Sequence, residues 1–164
     1  MKNPKINPPF TPTDVIIEGL AAICLVYIIA QLIIEYPDLN QKVPTNFGGD
    51  GMPDSWGSKS ALLIFPISAI VFYTGLTALN RFPHLFNYPV TISEQNAEKQ
   101  YQYAKTLISA LKFTTIGLFI FIQNQTINIA NEMTVGLNIQ YLVVLIIGSF
   151  IPIVVYFVIA FKFK

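Results

Sequence analysis

Four stretches of this chain are almost free of polar side chains, and nearly all of its charge falls between them. The first runs from Val15 to Ile34, broken only by Glu18 and Gln31. The second, Ala61 to Leu79, carries no charge, the third, Thr106 to Ile122, contains Lys112, and the fourth, Ile139 to Phe161, is again uncharged. Roughly 20 helical residues, at about 1.5 Å of rise each, cross a hydrocarbon core of about 30 Å. Each run therefore predicts a transmembrane helix, because a helix satisfies its own backbone hydrogen bonds where no water is present. Two-residue alternation is missing, so a β-barrel does not compete. The pattern predicts an all-α polytopic membrane protein of one domain, residues 1–164. Its spans are expected near 15–35, 60–80, 105–124 and 138–161, with connecting loops at 36–59 and 81–104. Pro66 and Pro152 fall inside the second and fourth spans and are expected to kink them. The first run is too long for a signal-peptide core and carries Glu18 near its start. Ile23 stands where a lipoprotein signal would need a small residue before Cys24.

Composition agrees with lipid as the solvent. Hydrophobic residues make up 53% of the chain and charged residues 12%, against about 25% charged in ordinary soluble domains. The net charge of +1 gives no argument for nucleic acid. Cys24 is the one cysteine, so an internal disulfide is excluded, and its place in an apolar run suits simple packing.

The cations are distributed unevenly among the flanks. Lys2, Lys5, Arg81, Lys99, Lys105, Lys162 and Lys164 fall on one side of four spans, and only Lys42 and Lys59 on the other. Positively charged flanks stay in the cytoplasm, so both termini are expected inside. The loop 36–59 then becomes an ordered extracytoplasmic loop, with Tyr36, Trp56 and Tyr141 marking the outer interface. That loop reads Y-P-D-L-N-Q-K-V-P-T-N-F-G-G-D-G-M-P-D-S-W-G-S-K. Its prolines and glycines fix turns, Asp50-Gly51 is a tight-turn signal that suits the tip of a short hairpin, and Asp54 and Ser58 are candidate caps for the second span.

Pro44, Thr45, Phe47, Gly51, Pro53, Asp54, Trp56, Gly57, Ser58 and Lys59 resemble, at matching spacing, a motif of the domain of unknown function at the N-terminus of bacterial SdpI-type immunity proteins. The run Asn80 to Val90, ending F-N-Y-P-V, and the charged helix start from Ser93 are similar to a second segment of that family. The resemblance covers roughly Tyr36 to Lys105. It implies a multi-pass protein of the bacterial plasma membrane. Asn46 replaces the histidine usual in the family and Gly48 its asparagine, so no imidazole chemistry is carried over. SdpI-type proteins continue into a further hydrophobic module, so toxin immunity does not follow from the resemblance alone.

Three groups of residues are candidates for function. In the outer loop, Asn46, Phe47, Gly51, Asp54, Trp56 and Lys59 would bind an extracellular peptide or a lipid headgroup. Lys59 beside an outward-facing helix start favours an anion. The opposing expectation is that Asp54 caps that helix and Lys59 reaches the headgroups. Within the spans, Glu18 lies about 6 Å and Lys112 about 10 Å from the same side. Charges in that setting face protein or a cavity, so the two either pair or snorkel separately. In the 81–104 loop, His84, Phe86, Asn87 and Tyr88 shape a turn, and the single histidine has no companion metal ligands. The acids of the outer loop miss the alternate spacing of an EF-hand, so neither metal nor cofactor is expected. Thr91, Ser93 and Glu94 are candidate cap residues for one long third helix from Ser93 to Ile122.

These residues point to a non-enzymatic membrane protein that binds a peptide or lipid headgroup, protective or sensory in role. The alternatives are a small membrane enzyme using Asp50, Asp54 and Lys59, or a component of a homo-oligomeric transporter. No Ser-His-Asp set and no H-E-x-x-H motif is present to favour the enzyme.

Overall fold

The computed structural model describes residues 3–163. Four helical segments in it are long and apolar enough to cross a membrane: Pro12–Glu35, Lys59–Leu79, Ala97–Ala130 and Ile139–Lys162. Helix α1 (Pro12–Glu35) starts in a capping box. Thr11 Oγ1 accepts the Asp14 N–H and Asp14 returns the bond to the Thr11 N–H, with Pro12 in the first turn. That arrangement satisfies donors which lipid could not. The all-α expectation needs amending after α1. Residues 36–59 fold into an antiparallel hairpin of β1 (Lys42–Phe47) and β2 (Pro53–Ser58). A turn closes it through the Gly51 N–H to Gly48 carbonyl bond, and Gly51 takes a φ of 82°.

The second span opens with a 3₁₀ turn, Lys59–Leu63, and continues as α2 (Ile64–Leu79). Ser58, and not Asp54, is the residue that caps it, accepting the Ser60 N–H. Pro66 lies in the first turn of α2, directly after the change from 3₁₀ to α geometry, so the span is irregular near its start and not at its middle.

Helix α3 (Ala97–Ala130) is the axis of the molecule, buried at intervals along its whole length. It starts four residues later than the caps suggest. Asn96 uses its side chain to close the preceding turn, accepting the Ser93 N–H and donating to the Thr91 carbonyl. Eight residues beyond Ile122 remain helical, so the rod runs past the expected end of the third span to Ala130. The fourth span is broken at Phe150 into α4 (Ile139–Ser149) and α5 (Ile151–Lys162). Pro152, at the start of α5, cannot donate back into the preceding turn, so the break occurs just before it.

Helices α1 and α2 pack against each other and on α3, while α4 and α5 rest on α3. Three apolar clusters stack along the bundle. Leu32, Leu39, Val43, Leu62, Ile127 and Ala130 lie beneath the hairpin, Ile28, Ala69 and Ile116 in the middle, and Ala104, Tyr156 and Ala160 near the terminal end. The outward surface of the helices is dominated by Ile, Val, Leu and Phe, as a bilayer requires.

Candidate functional site

Two polar constructions stand out from this apolar frame, the hairpin platform and a buried tie among α1, α2 and α3.

The hairpin is held from below. Val43 and Pro44 are buried, with Val43 packed on Leu32, Leu62 and Ile127. Lys59 donates to the carbonyls of Tyr36 (2.9 Å) and Leu39 (3.4 Å) and lies 4.7 Å from the centre of the Tyr36 ring. It thus neutralises the carbonyl-rich end of α1. Asn40 caps the end of α3 as a neutral donor, to the Ala130 carbonyl at 2.8 Å. At the tip, buried Gly51 accepts the Leu137 N–H at 2.8 Å. A Cβ there would sit 2.6 Å from the Leu137 carbonyl. The tip is therefore latched to the α3–α4 connection.

The other hairpin face is open. Asn46 Nδ2 and Thr45 Oγ1 meet Ser55 Oγ at 2.8 and 3.0 Å. Register shifts flank Asn46, and such bulges re-aim side chains. Asn46, Asp54 and Trp56 are exposed, Trp56 by half of its surface. Of the six residues expected to bind, these three are exposed; Asn46 lies on the Ser55 side of the hairpin, while Trp56, next to Ser55 in β2, points to the opposite side. Gly51 and Lys59 build the support, and Phe47 is half-buried against the bundle side. Asp50 accepts the Met52 N–H at the tip and, with Asp54, crowds Gly48. Lys59 lies five residues from Asp54, roughly 16 Å along an extended strand. Asp50, Asp54 and Lys59 therefore do not converge on one point.

The second construction lies inside the bundle. Lys112, fully buried, donates to both oxygens of Glu18 (2.8 and 2.6 Å) and to Thr77 Oγ1 (2.8 Å). All three ammonium protons are used, and the Tyr73 ring lies 4.7 Å away. Ser109 gives its one hydroxyl proton to Glu18 at 2.6 Å. Asn80 must therefore face Ser109 with its amide nitrogen, at 3.3 Å. Its carbonyl oxygen is left buried without a partner among the described residues. Ser109, Thr77, Asn80 and Tyr73 join this tie although no motif marks them for it. The signal available was their spacing: Ser109 and Lys112, like Thr77 and Asn80, stand three apart and so share a helix face.

Nearer the terminal end, Asp14 accepts from Thr106 (2.5 Å). Lys105 donates to Asn7 Oδ1 (3.1 Å) and the Pro8 carbonyl (2.7 Å), fixing the segment before α1. Towards the hairpin, Gln123 donates to the Ile28 carbonyl and Gln31 Oε1. Gln123 and Lys112 are about 16 Å apart along α3. The apolar layer of Ile28, Ala69 and Ile116 lies between them.

The 81–104 loop is a packed turn. Asn3 donates to the carbonyls of His84 and Phe86, and Tyr88 donates to the Pro83 carbonyl at 2.8 Å. Burial, then the neighbouring Tyr156 and Tyr101 phenols, raise the Tyr88 pKa well above its ordinary value, so it stays a donor. Phe86 and Tyr88 stack at 6.3 Å, and Asn87 is exposed. Lys2 and Lys164, counted in the charge bias, lie outside the described residues. Among the described residues no group of three potential metal ligands comes together.

Residues 22–70 match the model of a family described as a domain of unknown function, DUF1648. That segment covers most of α1, the whole hairpin and the start of α2. The chain is also 33% identical over 89 residues to an uncharacterized protein of the archaeon Archaeoglobus fulgidus, a match covering 49% of each chain. The chain thus spans about half the length of that relative. No solved structure matches it. The four apolar helices and the family match together fit a multi-pass membrane protein.

Proposed function

We propose that this chain is a non-enzymatic binding protein of the bacterial plasma membrane. Both termini lie in the cytoplasm and the β-hairpin faces outward, where it recognises an extracytoplasmic peptide in a protective or sensory role. The observation that carries the reading is that the hairpin is braced from below and still leaves several side chains exposed. Its inner residues are spent on anchorage, while Asn46, Asp54 and Trp56 stand exposed on a braced support. A preorganised platform with one exposed tryptophan is the kind of surface on which a few residues dominate affinity. The cation bias of the flanks supports the sidedness, and the resemblance to SdpI-type proteins supports a protective role.

The alternatives fit the geometry less well. An enzyme built from Asp50, Asp54 and Lys59 would need them together, yet Lys59 is committed to the carbonyls at the end of α1. Transport through one copy of the bundle would have to breach the Ile28–Ala69–Ile116 layer.

The test is to challenge cells making the chain with membrane-active peptides secreted by the same organism. Protection or signalling should fall at least 10-fold in an Asn46→Ala/Asp54→Ala/Trp56→Ala variant present at normal level, since a single anchoring tryptophan is commonly worth about 2 kcal/mol or more. An unchanged response at equal protein level would refute the reading.

A further inference from the structure

The face between α3 and α5 at the terminal end has a construction that the hairpin reading does not use. Lys99 on α3 and Lys162 on α5 line an open polar cleft of about 430 Å³ together with Ser93, Gln95 and Asn96. Among the described residues the ion pair is Lys112 with Glu18, and no described carboxylate pairs with either cleft lysine. Gln100, fully buried, fixes the wall of the cleft by donating to the carbonyls of Ala160 (3.1 Å) and Phe163 (2.9 Å) at the end of α5.

An apolar crevice of about 260 Å³ runs along the same helix pair. Tyr103, Leu107 and Ala110 form one side, and Ile151, Val155 and Ile159 the other. The two spaces meet at an aromatic contact. Phe163 lines the cleft, Tyr103 lines the crevice, and their rings are 6.0 Å apart. Lys99 to Ala110 on α3 and Lys162 to Ile151 on α5 are each eleven steps of helix. At about 1.5 Å per step that is roughly 16 Å, half the thickness of a bilayer core of about 30 Å.

We propose that the α3–α5 face is a binding site for one anionic phospholipid of the leaflet at the terminal end. Lys99 and Lys162 take the phosphate-bearing headgroup and an acyl chain fills the crevice between Leu107 and Val155. Charge selects the headgroup, and the length of the groove selects a leaflet lipid over a free anion. Two ammonium groups without acid partners among the described residues attract anionic headgroups in the way that basic clusters at the membrane surface do. The crevice exists because the chain breaks at Phe150, ahead of Pro152, while Ala104 and Ala160 permit close packing below it. The site lies at the opposite end of the bundle from the hairpin, and its occupancy is independent of what the hairpin binds.

The experiment is native mass spectrometry of the full chain from detergent, with phosphatidylglycerol and phosphatidylcholine of equal chain length. The wild type should retain one phosphatidylglycerol with a roughly 30-fold preference over phosphatidylcholine, about 2 kcal/mol. Lys99→Gln/Lys162→Gln should abolish the preference, and Lys99→Arg/Lys162→Arg should keep it. Leu107→Trp, which fills the crevice, should lower retention of both lipids. Equal retention of the two lipids by the wild type would overturn the proposal, as would a preference that survives the double glutamine variant. Displacement of phosphatidylglycerol by millimolar inorganic phosphate would also overturn it, because the cleft would then be a free-anion site.

Discussion

The most informative residue is Lys112. A fully buried ammonium ion in a lipid-facing bundle is tolerable only when every proton has a partner, and Glu18 and Thr77 supply them. Removing one charge should cost far more than removing both. Glu18→Leu alone should destabilise the bundle by about 3–5 kcal/mol, because it strands Lys112. Glu18→Leu/Lys112→Leu should lose much less, giving a coupling energy above about 2 kcal/mol in a double-mutant cycle of unfolding in mixed detergent. No coupling would mean that the tie does not hold the helices. The matching depths of Glu18 and Lys112 could be read from span boundaries alone. Thr77, Ser109 and Asn80 could not, because small polar residues within a span commonly bond their own helix, as Thr74 and Thr114 do here. Gly51 is the other decisive position. Its positive φ and its contact with the Leu137 carbonyl leave no room for a Cβ. Gly51→Ala should cost roughly 1–3 kcal/mol and should show as faster proteolysis at residues 48–52.

Among the elements, the hairpin separates support from recognition. Lys59→Met removes a cation from the end of α1 and should lower thermal stability by about 1–2 kcal/mol. Asp54→Ala and Trp56→Ala, at exposed positions, should stay within about 0.5 kcal/mol of the parent. The opposite ranking in a thermal melt would show that the exposed side chains carry the fold. The four helices were legible because lipid demands long apolar runs, whatever the packing. Of the hairpin, the tip at Asp50-Gly51 was legible and the strands were not. Lys42–Phe47 and Pro53–Ser58 carry prolines and a glycine, little β-branching and no regular alternation. They form because Val43 and Pro44 find a seat on the helix ends beneath them, which is a tertiary effect. The start of α3 was misplaced for a related reason. Asn96 serves the turn before the helix, and cap residues spaced correctly at Thr91, Ser93 and Glu94 lost to that local bonding.

The molecule as a whole divides its polar chemistry by height. The hairpin caps one end, the Glu18–Lys112 tie holds the three inner helices, and basic residues gather at the other end. The fourth span is attached by apolar packing on α3 and by Gln100 at its terminus. The central claim is that this body crosses the membrane four times and shows its hairpin to the outside. Cysteine labelling tests it most directly. In a Cys24→Ser background, Gly49→Cys places a thiol on the exposed tip and Glu98→Cys places one at the start of α3. An impermeant maleimide applied to intact cells should label Gly49→Cys at once and Glu98→Cys only after the membrane is permeabilised. Labelling of Glu98→Cys in intact cells with Gly49→Cys protected would contradict the sidedness, and immediate labelling of both would contradict the four-span body itself.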